Sequence, residues 1–321
     1  MDLLSDVVAL MRTGQPVSAL VTWRAPWGVA VPAEPGSAAF QVVLRGSCWL
    51  IPPSGEPVPL SVGDVVFLPH GHGYGLADSP GTPLAAGPCE PSEGGALFSS
   101  TTSGGTGAET VTVHGSYRKA PGRAHPLLGT LPEVIHLPTT LGRHPELRAA
   151  VELLGNEIAQ RRPGADTVVT SLLDMLQLYI LRAWFETTPG KCEHTGWAVA
   201  LSDPAISRAL DAAHRDPAHR WTVAELAGVA GLSRAAFARR FAELVGQPPL
   251  AYLTWWRLAT AARLLRESDA PVSAVAAQVG YGSEFAFGTA FKREFGIAPG
   301  RYQRQACEEV KAEQTGVRLG A

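Results

Sequence analysis

The chain has 321 residues, 45% hydrophobic and 17% charged, with a mean hydropathy of +0.05. That length suits two domains, each able to bury a core. No uninterrupted apolar run reaches the ~18 residues of a membrane span, and residues 1–10 carry two aspartates and no basic region, unlike a secretory leader. Cys48, Cys89, Cys192 and Cys307 form no C-x-x-C pair, which argues against a disulfide framework or zinc finger and fits a reducing cytoplasm.

Net charge is −2, but it is unevenly spread. Residues 1–199 hold 12 Lys/Arg against 17 Asp/Glu, while residues 200–305 hold 13 against 9. The basic excess lies in one segment, as a DNA-contacting module requires.

Up to about residue 120 short apolar runs are broken by Gly and Pro, which predicts many short strands. Ala39–Leu44, Cys48–Ile51, Val65–Leu68 and Thr110–His114 are examples. Ala77–Gly107, dense in Gly, Ser, Thr and Pro, reads as a long surface loop. From Pro145 apolar residues recur every three to four positions: Leu147, Val151, Leu154 and Ile158, then Val168, Leu172, Met175, Leu176, Tyr179 and Ile180. This predicts a helical hairpin, whose apolar stripes suit a homodimer contact. Residues 187–199 have linker composition, and helices joined by short turns follow.

A repeated pattern dominates the C-terminal third. Thr222 caps a helix over Val223–Ala230, Gly231 supplies a turn, and Ser233 caps a second helix with Phe237 and Phe241 four apart. Fifty residues on, Val272–Val279, Gly280, Ser283, Phe287 and Phe291 repeat the arrangement. Each is a helix-turn-helix, the unit that lays its second helix into the major groove. The predicted helix Pro249–Glu267 spaces the two heads.

The stretches WTVAELAGVAGLSRAAFARRFAELVGQPPLAYLTWWRLATAARLLRE and VSAVAAQVGYGSEFAFGTAFKREFGIAPGRYQRQ resemble the DNA-binding domain of the AraC/XylS family of transcription regulators. The resemblance implies a non-enzymatic, sequence-specific regulator of duplex DNA. In the first head the implied DNA-facing positions are Ser233, Arg234, Ala235, Ala238, Arg239 and Arg240. Arg239 stands where the family commonly carries a base-reading arginine, able to bond guanine O6 and N7 together. In the second head they are Ser283, Glu284, Phe285, Gly288, Thr289, Lys292 and Arg293, with Arg257 on the spacer. Arg240, Arg257, Lys292 and Arg293 read as phosphate contacts or solvated charges. Gly288 and Thr289 offer little hydrogen bonding, so the first head is expected to discriminate and the second to grip the backbone.

Upstream, AAFQVVLRGSCWL, LSVGDVVFLPHGHGYGL and HGSYRKAPGRAHPLLGTLPEVIHL resemble the cupin-type sensor of one branch of that family. The implied fold class is α+β: a cupin-like β-barrel over 1–143, a helical hairpin over 144–186, a linker over 187–199, an all-α double helix-turn-helix domain over 200–305 and a tail over 306–321. Cupin enzymes carry metal ligands where this chain has Gln41 and Tyr74. No cofactor and no metal are therefore expected, with His70, His72, Cys89 and His114 as the alternative ligand set. Trp27, Gln41, Tyr74 and His114 are the candidate contacts for a small-molecule effector.

Overall fold

The computed structural model describes residues 3–86, 98–119, 125–139, 143–160, 162–187 and 196–315. In chain order, helix α1 (Leu3–Met11) precedes ten strands: β1 (Arg12–Arg24), β2 (Gly28–Val31), β3 (Ser37–Arg45), β4 (Cys48–Ile51), β5 (Val58–Leu60), β6 (Val65–Leu68), β7 (Tyr74–Ala77), β8 (Ala85–Ala86), β9 (Phe98–Gly104) and β10 (Glu109–Lys119). Then come α2 (Pro126–Thr130), β11 (Ile135–Leu137), α3 (Pro145–Gln160) and α4 (Ala165–Thr187). The remainder is helical: α5 (Trp197–Ser202), α6 (Pro204–Arg215), α7 (Val223–Ala230), α8 (Arg234–Val245), α9 (Pro249–Glu267), α10 (Val272–Gln278), α11 (Glu284–Phe295) and α12 (Pro299–Thr315).

By contact the chain forms two compact units. One comprises Thr13–Lys119 and Leu131–Thr187; the other gathers Met1–Arg12, Ala120–Thr130 and Thr188–Ala321. In the first unit a six-stranded sheet, ordered β11-β6-β3-β10-β1-β9, faces a five-stranded one, ordered β5-β4-β7-β2-β8. Side chains alternate along each strand. Val21 and Trp23, Ala39 and Val43, Val66 and Leu68, and Tyr74 and Leu76 therefore point inward to one core. The opposite face of β3 and β10 carries Phe40 and Tyr117, whose rings lie 5.9 Å apart, and the Tyr117 hydroxyl donates to the Leu173 carbonyl of α4.

Helix α4 is apolar enough over 23 residues to pass for a membrane span by length and composition. Its buried residues, including Leu172, Leu173, Leu176, Ile180 and Leu181, belong to a side packed on α3 and β11, so it serves as the inner helix of the hairpin.

The stretch read as one long loop, Ala77–Gly107, holds two strands. Strand β9 runs parallel to β1 from Ser18–Phe98 to Arg24–Gly104. Its sequence, FSSTTSG, has loop composition, but an edge strand needs backbone pairing more than apolar side chains, and Thr suits the pleat.

In the second unit, helix α1 and the residues around α2 pack with the C-terminal helices. His125 sits edge-on to Trp197 at 4.5 Å and to Trp255 at 5.0 Å. Trp197, inside the span expected as linker, is only 1% exposed. Residues 188–195 lie outside the described residues, and α12 continues helically into the expected tail.

Candidate functional site

The first reading head is built by local chemistry. Thr222 Oγ1 accepts from the Glu225 amide at 3.2 Å, and Glu225 accepts from the Thr222 amide at 2.7 Å, which starts α7 with both ends of a capping box. Gly231 ends it at φ 71°, a left-handed conformation that disfavours any Cβ. Ser233 then caps α8 by accepting from the Ala236 amide at 3.3 Å. Phe237 and Phe241 are buried, which leaves Ser233, Arg234, Ala235 and Arg239 exposed and Ala238 half-buried on the outer face. Among the described residues Arg239 pairs with the exposed Glu243 one turn on, at 3.9 Å, a weak contact that a stronger acceptor displaces easily.

Arg240 and Arg257, read from the sequence as phosphate contacts or solvated charges, each bond to the protein's own groups. Arg240 Nε donates to Asp203 Oδ2 at 2.6 Å. Asp203 also caps α6, accepting from the Ala205 and Ile206 amides at 2.9 and 3.0 Å. Burial alone would raise the Asp203 carboxyl, but the Ile206 amide, Arg240 and the Ala205 amide outweigh it and hold the group below the usual carboxylate range. Arg257 Nε and Nη2 donate to the Pro217 and His219 carbonyls, each at 2.6 Å. Sequence reasoning missed both roles because the partners lie 37 to 40 residues away.

The second head repeats the first. Ser283 caps α11 by accepting from the Ala286 amide at 3.2 Å, and Phe287 and Phe291 are fully buried. Glu284, Phe285, Thr289, Lys292 and Arg293 are exposed and Gly288 half-buried. Each half of α9 serves one head: Leu258, Ala261, Ala262 and Leu265 share a core with Val275, Phe287, Phe291 and Tyr302, while Tyr252 packs at 5.9 Å on Phe241. The turn of the second head, Gly280 at φ 85°, lies against Ala218 of the first. A Cβ there would stand 2.7 Å from the Ala218 carbonyl oxygen. The heads are thus keyed together by backbone contact.

Within the same unit runs a buried polar chain. The Leu127 amide donates to His125 Nδ1 at 3.0 Å, leaving the ring proton on Nε2, 3.5 Å from Tyr252 Oη. Tyr252 Oη in turn lies 2.7 Å from His214 Nε2, and His214 Nδ1 faces Asp6 Oδ2 at 3.5 Å. Burial pushes both imidazoles down, with His214 adding to the effect on His125 and Asp6 partly offsetting it on His214; burial, aided by Asp6, drives the Tyr252 phenol up. Neutral rings are the ones this packing accepts.

In the barrel, three of the four expected effector contacts converge. Gln41 and His114 face each other across the β3–β10 ladder. Gln41 Nε2 donates to Tyr74 Oη at 2.7 Å and to His114 Nδ1 at 2.9 Å, which puts the ring proton on Nε2. Burial lowers His114 to about 4. Gln41 Oε1 is buried without a hydrogen-bond partner among the described residues. Trp27 joins the apolar interior separately, stacked on Trp23 at 4.5 Å. Trp23 and Thr112, which sequence reasoning passed over, are bonded at 2.9 Å. Two-residue spacing from His114 on β10 would have pointed to Thr112.

Among the described residues the alternative metal set does not gather. His70 Nε2 lies 2.9 Å from the Leu131 carbonyl, His72 is 4.0 Å from Glu133, and His114 is bound into the Gln41–Tyr74 group. Cys89 lies outside the described residues, among which no cluster of metal-ligating side chains occurs. Cys48 is buried in the barrel core, and burial, with Asp64 adding, raises its thiol to about 12, the opposite of a reactive thiolate.

Two keyed helix-turn-helix heads on the chain that also forms a β-barrel with a buried polar group define a DNA-binding regulator with a sensor-type partner domain. The comparisons agree. A cupin family model matches residues 2–186 and a helix-turn-helix domain model residues 226–305. A putative AraC-like transcription regulator of Streptomyces antibioticus is 37% identical over 95% of this chain and 99% of its own length. A second, from Streptomyces lividans, is 36% identical over 95% and 98%. Among solved structures, the DNA-binding domain of AdpA in complex with a target DNA is 34% identical, covering 33% of this chain and 96% of that one with a TM-score of 0.32. The chain belongs to the AraC-like transcription regulators, with a cupin N-terminal half and a helix-turn-helix DNA-binding C-terminal half.

Proposed function

We propose that this regulator acts in the cytoplasm, reads duplex DNA with α8 and α11, and is controlled by a small molecule bound, not turned over, in the cupin barrel. The observation that carries the sensing half is Gln41 Oε1, a buried acceptor without a partner among the described residues, set beside Tyr74 and His114 in the barrel interior. An unpaired buried acceptor costs about 1–3 kcal/mol, and a ligand donor reaching it recovers that energy. Native mass spectrometry of protein purified from its own host tests this. The expected result is one small molecule retained by wild type and lost by Gln41→Leu. A bare wild-type protein, together with promoter output unchanged by Gln41→Leu, would overturn it.

On the DNA side, we read Arg239 as a base-edge contact and Arg234, Lys292 and Arg293 as phosphate contacts, while the bonds of Arg240 and Arg257 within the protein support a part in holding the heads in shape. The protein is read as a homodimer through α3 and α4, supported by the exposure of Leu153, Val168 and Met175 on those helices.

A further inference from the structure

We propose that Phe285 makes the second head a reader of thymine, through van der Waals contact with its C5-methyl group. The proposal rests on α11 entering the major groove, as the helix-turn-helix reading requires.

Phe285 is 86% exposed, whereas the next large hydrophobics among the described residues are Leu153 at 54% and Val62 at 53%. Single surface hydrophobics are ordinary; a phenyl ring held almost wholly in water in the first turn of a recognition helix is not. That turn is the part of such a helix that reaches base edges. Repeat symmetry puts Phe285 at the place of Ala235 in α8, counted from the capping serines Ser283 and Ser233.

The surroundings are also apolar. Residues at i, i+3 and i+4 share a helix face, so Phe285, Gly288 and Thr289 form one surface opposite the buried Phe287 and Phe291. Thr289 Oγ1 donates to the Phe285 carbonyl at 3.0 Å, so its hydroxyl proton serves the helix itself. Gly288 has open space where a Cβ would stand, leaving a notch beside the phenyl ring. None of these three side chains offers a free donor for N7 or O6 of guanine; the donor on this face is Lys292, two turns on from Phe285. The thymine C5-methyl is the one apolar feature of the major-groove edge, and a phenyl ring flanked by a notch complements it. Glu284, next in line, disfavours close phosphates and accepts only from amino groups. The second head is therefore a discriminating element, not only a backbone grip.

Replacing thymine by deoxyuridine removes the methyl and keeps every donor and acceptor. The experiment selects the preferred duplex from a random pool with the full-length protein, then measures affinity for that duplex and for versions with each thymine of the second half-site replaced by deoxyuridine. Wild type should weaken roughly three- to tenfold at one or two positions, as expected for one buried methyl or two. Phe285→Ala should bind the thymine duplex at the weakened level and lose the distinction between thymine and uracil. It should melt like wild type, because the ring packs on little. With the sensitive T·A pair changed to C·G, 5-methylcytosine should be bound more tightly than cytosine, because it restores the methyl group. A selected duplex bound equally well with thymine or uracil would overturn the thymine reading and leave base reading intact, as would Phe285→Ala losing affinity without any uracil effect, the signature of a wedge between base steps. Failure to select any sequence would instead bring down the DNA-reading assignment on which the proposal stands.

Discussion

Gln41 and His114 stand opposite each other on β3 and β10, joined by a 2.9 Å bond from the Gln41 amide to His114 Nδ1. This requires a neutral imidazole, and burial makes it so by lowering the ring to about 4. The unfolded chain takes up a proton near pH 6.5, while the folded barrel resists until about pH 4. Stability conferred by the neutral ring is therefore full above pH 6.5 and falls as pH drops through that window, by about 3 kcal/mol. Urea midpoints from pH 7.5 to 4.5 for wild type and His114→Gln check it. The variant should show a shallower acid loss than wild type; parallel curves would show that His114 titrates freely.

Tyr252 bridges two imidazoles with one hydroxyl, at 2.7 Å from His214 and 3.5 Å from His125. Tyr252→Phe leaves buried ring nitrogens without that partner and should destabilise the C-terminal unit by about 1–3 kcal/mol. Chemical denaturation followed by tryptophan fluorescence reports it, because Trp197, Trp255 and Trp256 surround the site.

Asp203 and Arg240 predict a separation between folding and reading. Removing the guanidinium by Arg240→Ala uncovers a carboxylate that is 3% exposed at its side chain. The unit should lose stability, with a melting temperature lowered by a few degrees and base preference unchanged. Arg239→Ala should do the reverse: an unchanged melt, a loss of ~1–3 kcal/mol in affinity and relaxed preference at one or two base positions. Melting curves and selection on both variants distinguish them.

Gly280→Ala tests the keying of the heads. The left-handed backbone strains any Cβ, and that Cβ meets the Ala218 backbone at 2.7 Å. Affinity for a two-part site should fall by tenfold or more, while a site containing only the first half is affected much less.

Much of the DNA-binding half was legible because its signals are local. Thr222, Gly231, Ser233 and Ser283 each fix a cap or turn from their own chemistry, and the paired phenylalanines mark the buried stripe. Arg240 and Arg257 were not legible, since nothing near them in sequence reveals Asp203 or the carbonyls of Pro217 and His219. The barrel strands around Gln41 and His114 followed from short apolar runs broken by Gly and Pro. Strand β9 did not, because FSSTTSG has no apolar alternation and is held by its pairing with β1. The docking of α1 and His125 among the C-terminal helices was also invisible, because those contacts join residues far apart in sequence, 127 positions for Tyr252 and His125.

The most direct measurement of the central claim, that α8 and α11 both read duplex DNA, is affinity selection from random duplexes with full-length wild type, Arg239→Ala and Lys292→Ala. The expected result is a two-part motif with half-sites about 10 bp apart, one helical turn. Arg239→Ala should relax the first half, and Lys292→Ala should weaken all sequences alike, with a salt dependence shallower by roughly one ion. A motif of a single half-site, or one that Arg239→Ala leaves unchanged, would contradict the account.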